Sequence, residues 1–401
     1  MKIVHVIHSL DPRSGGPSNA LYALTQAQLK MGHSVSVIAT DRQSTHPWLD
    51  DRTFQQIIRN KLPKDLATIT VIPSYGRKRP WVRYAWSPKC KTILKRELSR
   101  FRNDEDCFVH IHGLFSQITQ VAASVSDQLG IPFAIRPTGA LDPATIRKGA
   151  TFLKQLFIRC WLKKTLASAR FIQATSEMET KSLASLEWNP NIMEIPLGVT
   201  IPDWRPKDFR KIFYQQFPTF QHTPFLLCLS RIHPIKRIDL AIRAFHHFQD
   251  QNASYHLLIA GSETPHQETL MDLADHLGVR EKVHFIGFLE GDVKSSAYFS
   301  AHGFLQTSEH ENFGLTVLEA LAHGLPVVCT PGVATGLQVK ESNGGFVTQD
   351  DTVEEISNAL SRLMQSNPTG PQQRLSQWTE ANYSWMAAAA RLENVYRSNI
   401  D

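Results

Sequence analysis

The chain has 401 residues, 42% of them hydrophobic and 20% charged, with a formal net charge of +6. That length suits two domains, and the balance excludes a disordered, collagen-like or low-complexity chain. No apolar run approaches the roughly 18–20 residues that span a bilayer. Five scattered cysteines (Cys90, Cys107, Cys160, Cys228, Cys329) without a Cys-x-x-Cys pair indicate neither a disulfide framework nor a zinc site, and fit a reducing cytoplasm.

Met1–His8 is too short and polar for a signal segment and reads as a first β-strand, Ile3–His8. Gly15-Gly16-Pro17 breaks it, and a helix follows over Asn19–Met31, stopped by Gly32. Further strands are predicted at Ser34–Ala39, Ala67–Pro73, Phe108–His112, Phe133–Pro137, Phe171–Ala174 and Ile192–Ile195, with helices between them. The pattern restarts after Pro202-Asp203-Trp204-Arg205-Pro206. Strands at Phe225–Ser230, His256–Ala260, Val283–Ile286, Gly303–Gln306 and Pro326–Cys329 alternate with helices at Ile238–Gln249, Glu268–Leu277 and Thr316–His323. One more helix is expected over Tyr383–Arg397. Alternating strands and helices imply parallel sheets with right-handed crossovers. The expected fold class is therefore α/β, with two Rossmann-like domains: residues 1–205, with a final helix at about 380–401 packing back on it, and residues 206–379. Ligands bind at the carboxyl ends of such sheets, so the site is expected in a cleft where both edges face each other.

Charge divides along the same line. Residues 1–205 hold 28 Lys and Arg against 16 Asp and Glu, residues 206–401 hold 15 against 21. The excess is densest from Arg77 to Arg102, where Trp81, Tyr84 and Trp86 are interspersed. Basic residues among aromatics suit an anionic membrane surface; a solvated loop and helix face is the other reading. No nucleic-acid-binding pattern is present.

The chemistry concentrates in the second half. After Phe225–Ser230, Arg231 and Lys236 can converge on one anion, a fork and a point charge suited to a diphosphate. In Ser308–Val328 a strand end leads through a loop into a helix starting near Gly314. Amides at Gly314, Leu315 and Thr316 favour phosphate. Glu311 in the loop and Glu319 just over a turn into the helix suit neutral sugar hydroxyls. Singly, each piece is more often a surface feature.

In order, Ser-Arg-x4-Lys followed by Glu-x7-Glu (Glu311-Asn-Phe-Gly…Glu319-Ala-x-Ala-x-Gly-x-Pro-Val) resembles the retaining, nucleotide-sugar-dependent glycosyltransferases of family 4, which have the GT-B fold. The resemblance extends to Ile3–Gly16, Val109–Ser116, Arg136–Pro143 and Ile195–Val199. It implies that Glu311 orients the donor sugar and Glu319 binds the ribose. Asn312, Phe313, Gly314 and Leu315 would line sugar and phosphate through their amides. Arg231 and Lys236 would neutralise the leaving diphosphate, the main catalytic term, so no metal or other cofactor is expected. Gly15 and Gly16 would approach the diphosphate or form an ordinary turn, His112 would lie near the reacting sugar or be a cleft-lining or core histidine, and Gly261, Gly287, Phe288 and Leu289 would hold the base. Arg136, Thr138, Gly139, Asp142 and Lys148 are acceptor-side candidates that could equally be surface or capping residues. His302-Gly303, Gln306-Thr307-Ser308 and Arg237 depart from the family's usual pattern.

The implied function is transfer of a sugar from a UDP- or GDP-sugar to a glycan or lipid-linked acceptor in surface polysaccharide or glycolipid assembly. The protein would be cytoplasmic and peripheral at the inner membrane face. The alternatives are a soluble sugar synthase or phosphorylase, a non-catalytic nucleotide-sugar-binding scaffold, and a nicotinamide enzyme. The last lacks its Gly-x-Gly-x-x-Gly after the first strand, where the chain reads Ser14-Gly15-Gly16-Pro17-Ser18-Asn19.

Overall fold

The computed structural model describes residues 1–12, 16–43, 49–74, 85–141, 162–366 and 372–400. The chain divides into two compact units, Met1–Gly198 with Trp385–Asp401, and Val199–Ser384. Gly15, Asp142 and Lys148 lie outside the described residues, as do Cys160 and the 77–84 part of the basic window.

The first unit is built on a seven-stranded sheet: β1 (Lys2–Ile7), β2 (Ser34–Thr40), β3 (Thr68–Ile72), β4 (Cys107–His112), β5 (Phe133–Arg136), β6 (Phe171–Ala174) and β7 (Ile192–Glu194). The order is β3-β2-β1-β4-β5-β6-β7, every pairing parallel. The order reverses between β1 and β4, which opens a crevice at their carboxyl ends. The described helices are α1 (Gly16–Lys30), α2 (Asp51–Lys61), α3 (Cys90–Ser99), α4 (Gln117–Leu129), α5 (Lys163–Ala167) and α6 (Glu177–Ala184). One face of the sheet packs Val4, Val109 and Ile135 against Leu94 and Leu98 of α3 and Ile118 and Ala122 of α4. The other packs Ile3, Phe108, Ala134 and Phe171 against Leu24 and Ala27 of α1.

The second unit holds a six-stranded sheet: β8 (Phe225–Leu229), β9 (His256–Ala260), β10 (Val283–Gly287), β11 (Gly303–Gln306), β12 (Val327–Cys329) and β13 (Gly345–Val347). It runs β10-β9-β8-β11-β12-β13, again all parallel, with its reversal between β8 and β11. Its helices are α7 (Pro206–Gln216), α8 (Ile238–Gln249), α9 (His266–His276), α10 (Gly291–Ser300), α11 (Leu315–Ala322), α12 (Gly336–Glu341), α13 (Val353–Gln365) and α14 (Gln373–Tyr383). Strand β13 has no counterpart in the sequence reading: its three residues, led by a glycine, carry too little apolar pattern to declare a strand.

The final helix expected over Tyr383–Arg397 is present and starts two residues later, because an unexpected helix, α14, precedes it. Helix α14 ends at Tyr383, Ser384 is extended (φ −62°, ψ 156°), and α15 covers Trp385–Arg397. The break falls where one unit ends and the other resumes. Helix α15 places Ala389, Leu392 and Tyr396 in the core beside β1 and β4. Cys90, Cys107, Cys228 and Cys329 are free and buried, and burial pushes each thiol up to about 12, so they behave as apolar side chains.

Candidate active site

Strand β8 ends at Leu229, and the chain turns through Arg231 into a short 3-10 turn, Pro234–Lys236. His233 Nδ1 accepts from the Ile235 amide at 3.3 Å, and Arg237 closes the turn in the left-handed region (φ 49°). This loop is tied to the one after β11. The Glu309 amide donates to Ile235 O at 3.0 Å, and Thr307 Oγ1 donates to the carbonyls of Lys236 and Arg237 at 3.2 and 2.8 Å. The docking carries Lys236 to Glu311, where Nζ forms an ion pair and hydrogen bond with Oε2. Both side chains are largely buried, at 11% and 23% exposure, so the pair holds better than one at the surface.

Arg231 does not join them. It is exposed, and among the described residues its guanidinium forms no hydrogen bond or ion pair. The expected convergence of both cations on one anion is therefore replaced in this structure by a Lys236–Glu311 pair. The Glu311 carboxylate is the charge that Lys236 meets.

Glu311 is fixed through its backbone. Its amide donates to Gly332 O at 2.8 Å, and its carbonyl accepts from Ala334 at 3.1 Å. Gly314 caps α11 with φ 87°; a Cβ there would stand 2.7 Å from Thr335 Oγ1, so the turn requires glycine. Leu315 and Thr316 begin the helix and are half-buried, while Phe313 is buried and Asn312 half-buried. Glu319 is the fifth residue of α11. Its Oε1 accepts from Lys294 Nζ at 2.6 Å and its Oε2 from the Tyr298 hydroxyl at 2.9 Å, both on α10. Next to it His323, stacked on Tyr298 at 4.8 Å, is held neutral by burial, with its pKa lowered to about 4. Lys294 and Tyr298 were missed by sequence reasoning. They lie 25 and 21 residues before Glu319, on another helix, and no local spacing connects them.

The proposed base-binding positions divide. Gly287 (φ 79°) and Phe288 are exposed, Phe288 at 67%, and Leu289 is buried. Gly261 has a packing reason: a Cβ there would meet Ser230 O at 2.2 Å.

In the first unit, Gly16 opens α1 and is exposed. His112 ends β4 and Arg136 ends β5, as register neighbours. Arg136 is 1% exposed, which removes the surface-residue alternative for it. Burial lowers its pKa to about 10, with Glu179 and Tyr396 opposing; at neutral pH it remains charged. Thr138 and Gly139 form a left-handed turn (φ 58° and 74°). It is pinned by Glu179, whose Oε1 accepts from the Gly139 amide at 2.7 Å. Asp104 and Asp106 make an Asp-x-Asp triplet of the kind that can hold a metal. The structure places it at the amino end of β4, bound to Lys2 and to the amino terminus, the end of the sheet opposite the ligand-binding edge. Within the basic window, Lys89, Lys91, Lys95, Arg96, Arg100 and Arg102 are exposed around α3, and the buried Glu97 pairs with Arg96 and Arg100 at 2.7 and 2.8 Å.

Residues 14–201 match Glycosyltransferase Family 4 and residues 209–385 match Glycosyl transferases group 1. A D-inositol 3-phosphate glycosyltransferase of Corynebacterium aurimucosum is 27% identical over 185 residues, 44% of this chain and 43% of that protein. A GDP-mannose-dependent alpha-(1-6)-phosphatidylinositol monomannoside mannosyltransferase of Mycobacterium tuberculosis is 25% identical over 225 residues, 54% and 57% of the two chains. The chain thus spans about half the length of these curated relatives. Among solved structures, Anabaena HepE in complex with UDP and glucose superposes with TM-score 0.74 at 16% identity, covering 99% and 100% of the chains. A Rickettsia africae glycosyltransferase gives 0.74 at 14%, covering 100% and 98%. These likenesses show the fold, which is GT-B.

Proposed function

Because the chain belongs to the glycosyltransferases, with a family 4 first half and a group 1 second half, we propose that it transfers a sugar from a nucleoside diphosphate donor to a glycan or lipid-linked acceptor. The observation that carries this reading is the Lys236–Glu311 pair at the carboxyl edge of the second sheet, one turn from the amino end of α11. A donor diphosphate would take Lys236 from Glu311, releasing the carboxylate for sugar hydroxyls. The ammonium and the α11 amides would then stabilise charge growing on the bridging oxygen, with Arg231 closing on the same phosphate. Cations and amides can do this without a metal, and the proposed reaction is metal-independent. Retention of configuration is part of the proposal, through attack on the face the leaving group vacates. Glu319 would accept from the ribose, Phe288 would offer an apolar surface to the base, His112 would contact the donor sugar, and Arg136, Thr138 and Gly139 would line the acceptor side.

No helix among the described residues is long and apolar enough to cross a membrane. The exposed cations around α3, with Trp86 at 40% exposure beside them, support a lipid-linked acceptor met at an anionic surface. Thermal-shift screening against UDP, GDP, ADP and their sugars, followed by donor turnover, tests the reading. One nucleotide should raise the melting temperature, and Lys236→Ala should lose at least about a hundredfold in turnover while remaining folded. Near-wild-type turnover in that variant would refute the assignment.

A further inference from the structure

The first sheet carries polar side chains where a core is normally apolar. His5 of β1 and His110 of β4 are register partners, and His112, two residues on, pairs with Ile7 on one side and Arg136 on the other. Register partners and residues two apart share a face, so His5, His110, His112 and Arg136 stand together, each at most 1% exposed. The tautomers in this group follow from the orientation of the Gln28 amide, whose oxygen faces His5. His5 Nε2 lies 2.7 Å from Oε1 of Gln28 on α1. An amide oxygen only accepts, so Nε2 carries the hydrogen. Burial lowers the His5 pKa to about 4, so the ring is neutral at pH 7 and its Nδ1 is a bare lone pair. His112 Nε2, 2.9 Å from that Nδ1, must then be the donor. His112 is neutral as well, its pKa driven down first by burial and then by the charge of Arg136. Its remaining nitrogen, Nδ1, is a lone pair with no partner among the described residues.

We propose that Gln28 and His5 are positioning residues: they hold His112 in the Nε2–H tautomer and so reserve its Nδ1 lone pair for a hydroxyl of the bound sugar. The inference rests on the glycosyltransferase reading in one respect only, that a sugar reaches His112. The end of β4 adjoins the strand-order reversal, where sheets of this kind bind ligands. The chemistry of the cluster favours a hydroxyl over a metal ion. One nitrogen from each of His5, His110 and His112 lies within 4.8 Å of the others, and that spacing alone would suit a cation. Arg136, however, acts on all three rings, and its three guanidinium nitrogens are themselves unpartnered among the described residues. A divalent ion would add charge beside a buried guanidinium, with no carboxylate among the ligands. A hydroxyl supplies what both groups lack, a hydrogen for Nδ1 and an oxygen for the guanidinium.

Long-range ¹H–¹⁵N spectra of the full chain labelled with ¹⁵N-histidine read the tautomer directly. With 17 histidines present, the His112 signals are identified by their loss in His112→Gln. At pH 7 the expected wild-type pattern is a bare Nδ1 and a protonated Nε2 on both His5 and His112. Gln28→Met removes the accepting oxygen at similar volume. His112 Nδ1 should then move toward the protonated position, and hydrolysis of UDP-glucose or GDP-mannose, whichever the wild type turns over, should fall about tenfold. The Kd for the corresponding nucleoside diphosphate should stay within twofold, a split that a general loss of structure would not give. His5→Asn is the second variant should Gln28→Met fold poorly. A protonated Nδ1 on wild-type His112, an unchanged rate in the variant, or one equivalent of zinc retained through dialysis against EDTA would each overturn the relay. If the wild type turns over no nucleoside diphosphate sugar of the thermal-shift screen yet shows the bare Nδ1, the tautomer assignment stands and it is the glycosyltransferase reading that has failed.

Discussion

Glu311 and Glu319 illustrate how far a carboxylate's chemistry depends on its partner. Both lie in one short segment, yet each meets an ammonium from a different element, Lys236 from the turn after β8 and Lys294 from α10. Lys294 holds Oε1 of Glu319 at 2.6 Å and Tyr298 holds Oε2 at 2.9 Å, which fixes the plane of the carboxylate and the direction of its remaining lone pairs. Removing the ammonium from a charged hydrogen bond of this kind costs about 1.5–3 kcal/mol. Lys294→Met is therefore expected to weaken nucleoside diphosphate binding about tenfold and to erase discrimination between the ribo and 2′-deoxyribo forms, as measured by calorimetry. Full discrimination in the variant would show that Lys294 does not orient Glu319 toward the ribose.

Among the elements, the joint at Gly198 and Trp385 is the most demanding. A Cβ on Gly198 would lie 2.6–2.7 Å from Trp385 ring and Cα atoms, and backbone cannot yield as a flexible side chain can. Gly198→Ala should destabilise the first unit by about 1–3 kcal/mol, visible as a lowered midpoint in urea. An unchanged midpoint would mean that α15 shifts freely, contrary to the burial of Ala389, Leu392 and Tyr396. The sequence marked Ile195–Val199 only through its resemblance to a family motif. The reason for the glycine lies in a helix nearly two hundred residues later, out of reach of any local pattern.

For the molecule as a whole, buried neutral histidines make stability depend on pH. The native pKa is lowered to about 4 for His5 and His323, and lies well below the ordinary value for His110 and His112, with burial the main cause throughout. In the unfolded chain these groups titrate near 6.5. Between those values the unfolded state binds more protons, so stability falls as pH drops. From pH 7 to pH 5 each such histidine removes about 2 kcal/mol. Three of these four belong to the first unit, together with His8, lowered to about 4, and the lesser-shifted His33; His323 belongs to the second, with the lesser-shifted His256, His284 and His302. Calorimetry should therefore show two transitions, with the one belonging to the first unit moving down further on acidification. Parallel movement of both would contradict the neutral assignment. The same scale governs the surface charge: cosedimentation with anionic vesicles should weaken as salt is raised, and equal binding to neutral vesicles would remove the membrane part of the proposal.

The sequence by itself determined the two parallel α/β sheets and the positions of the chemistry-bearing loops. Strand and helix periodicity, glycine stops and the order of charged residues are local properties written within a few positions of one another. Tertiary structure alone decided which charges meet. Lys236 reaches Glu311 across 75 residues, Lys294 reaches Glu319 across 25, and His5 reaches His112 across 107, because parallel strands distant in sequence are neighbours in a sheet. It also decided that Arg136 is buried and Arg231 exposed, since the same residue type at the end of a strand is covered or left open by what packs above it.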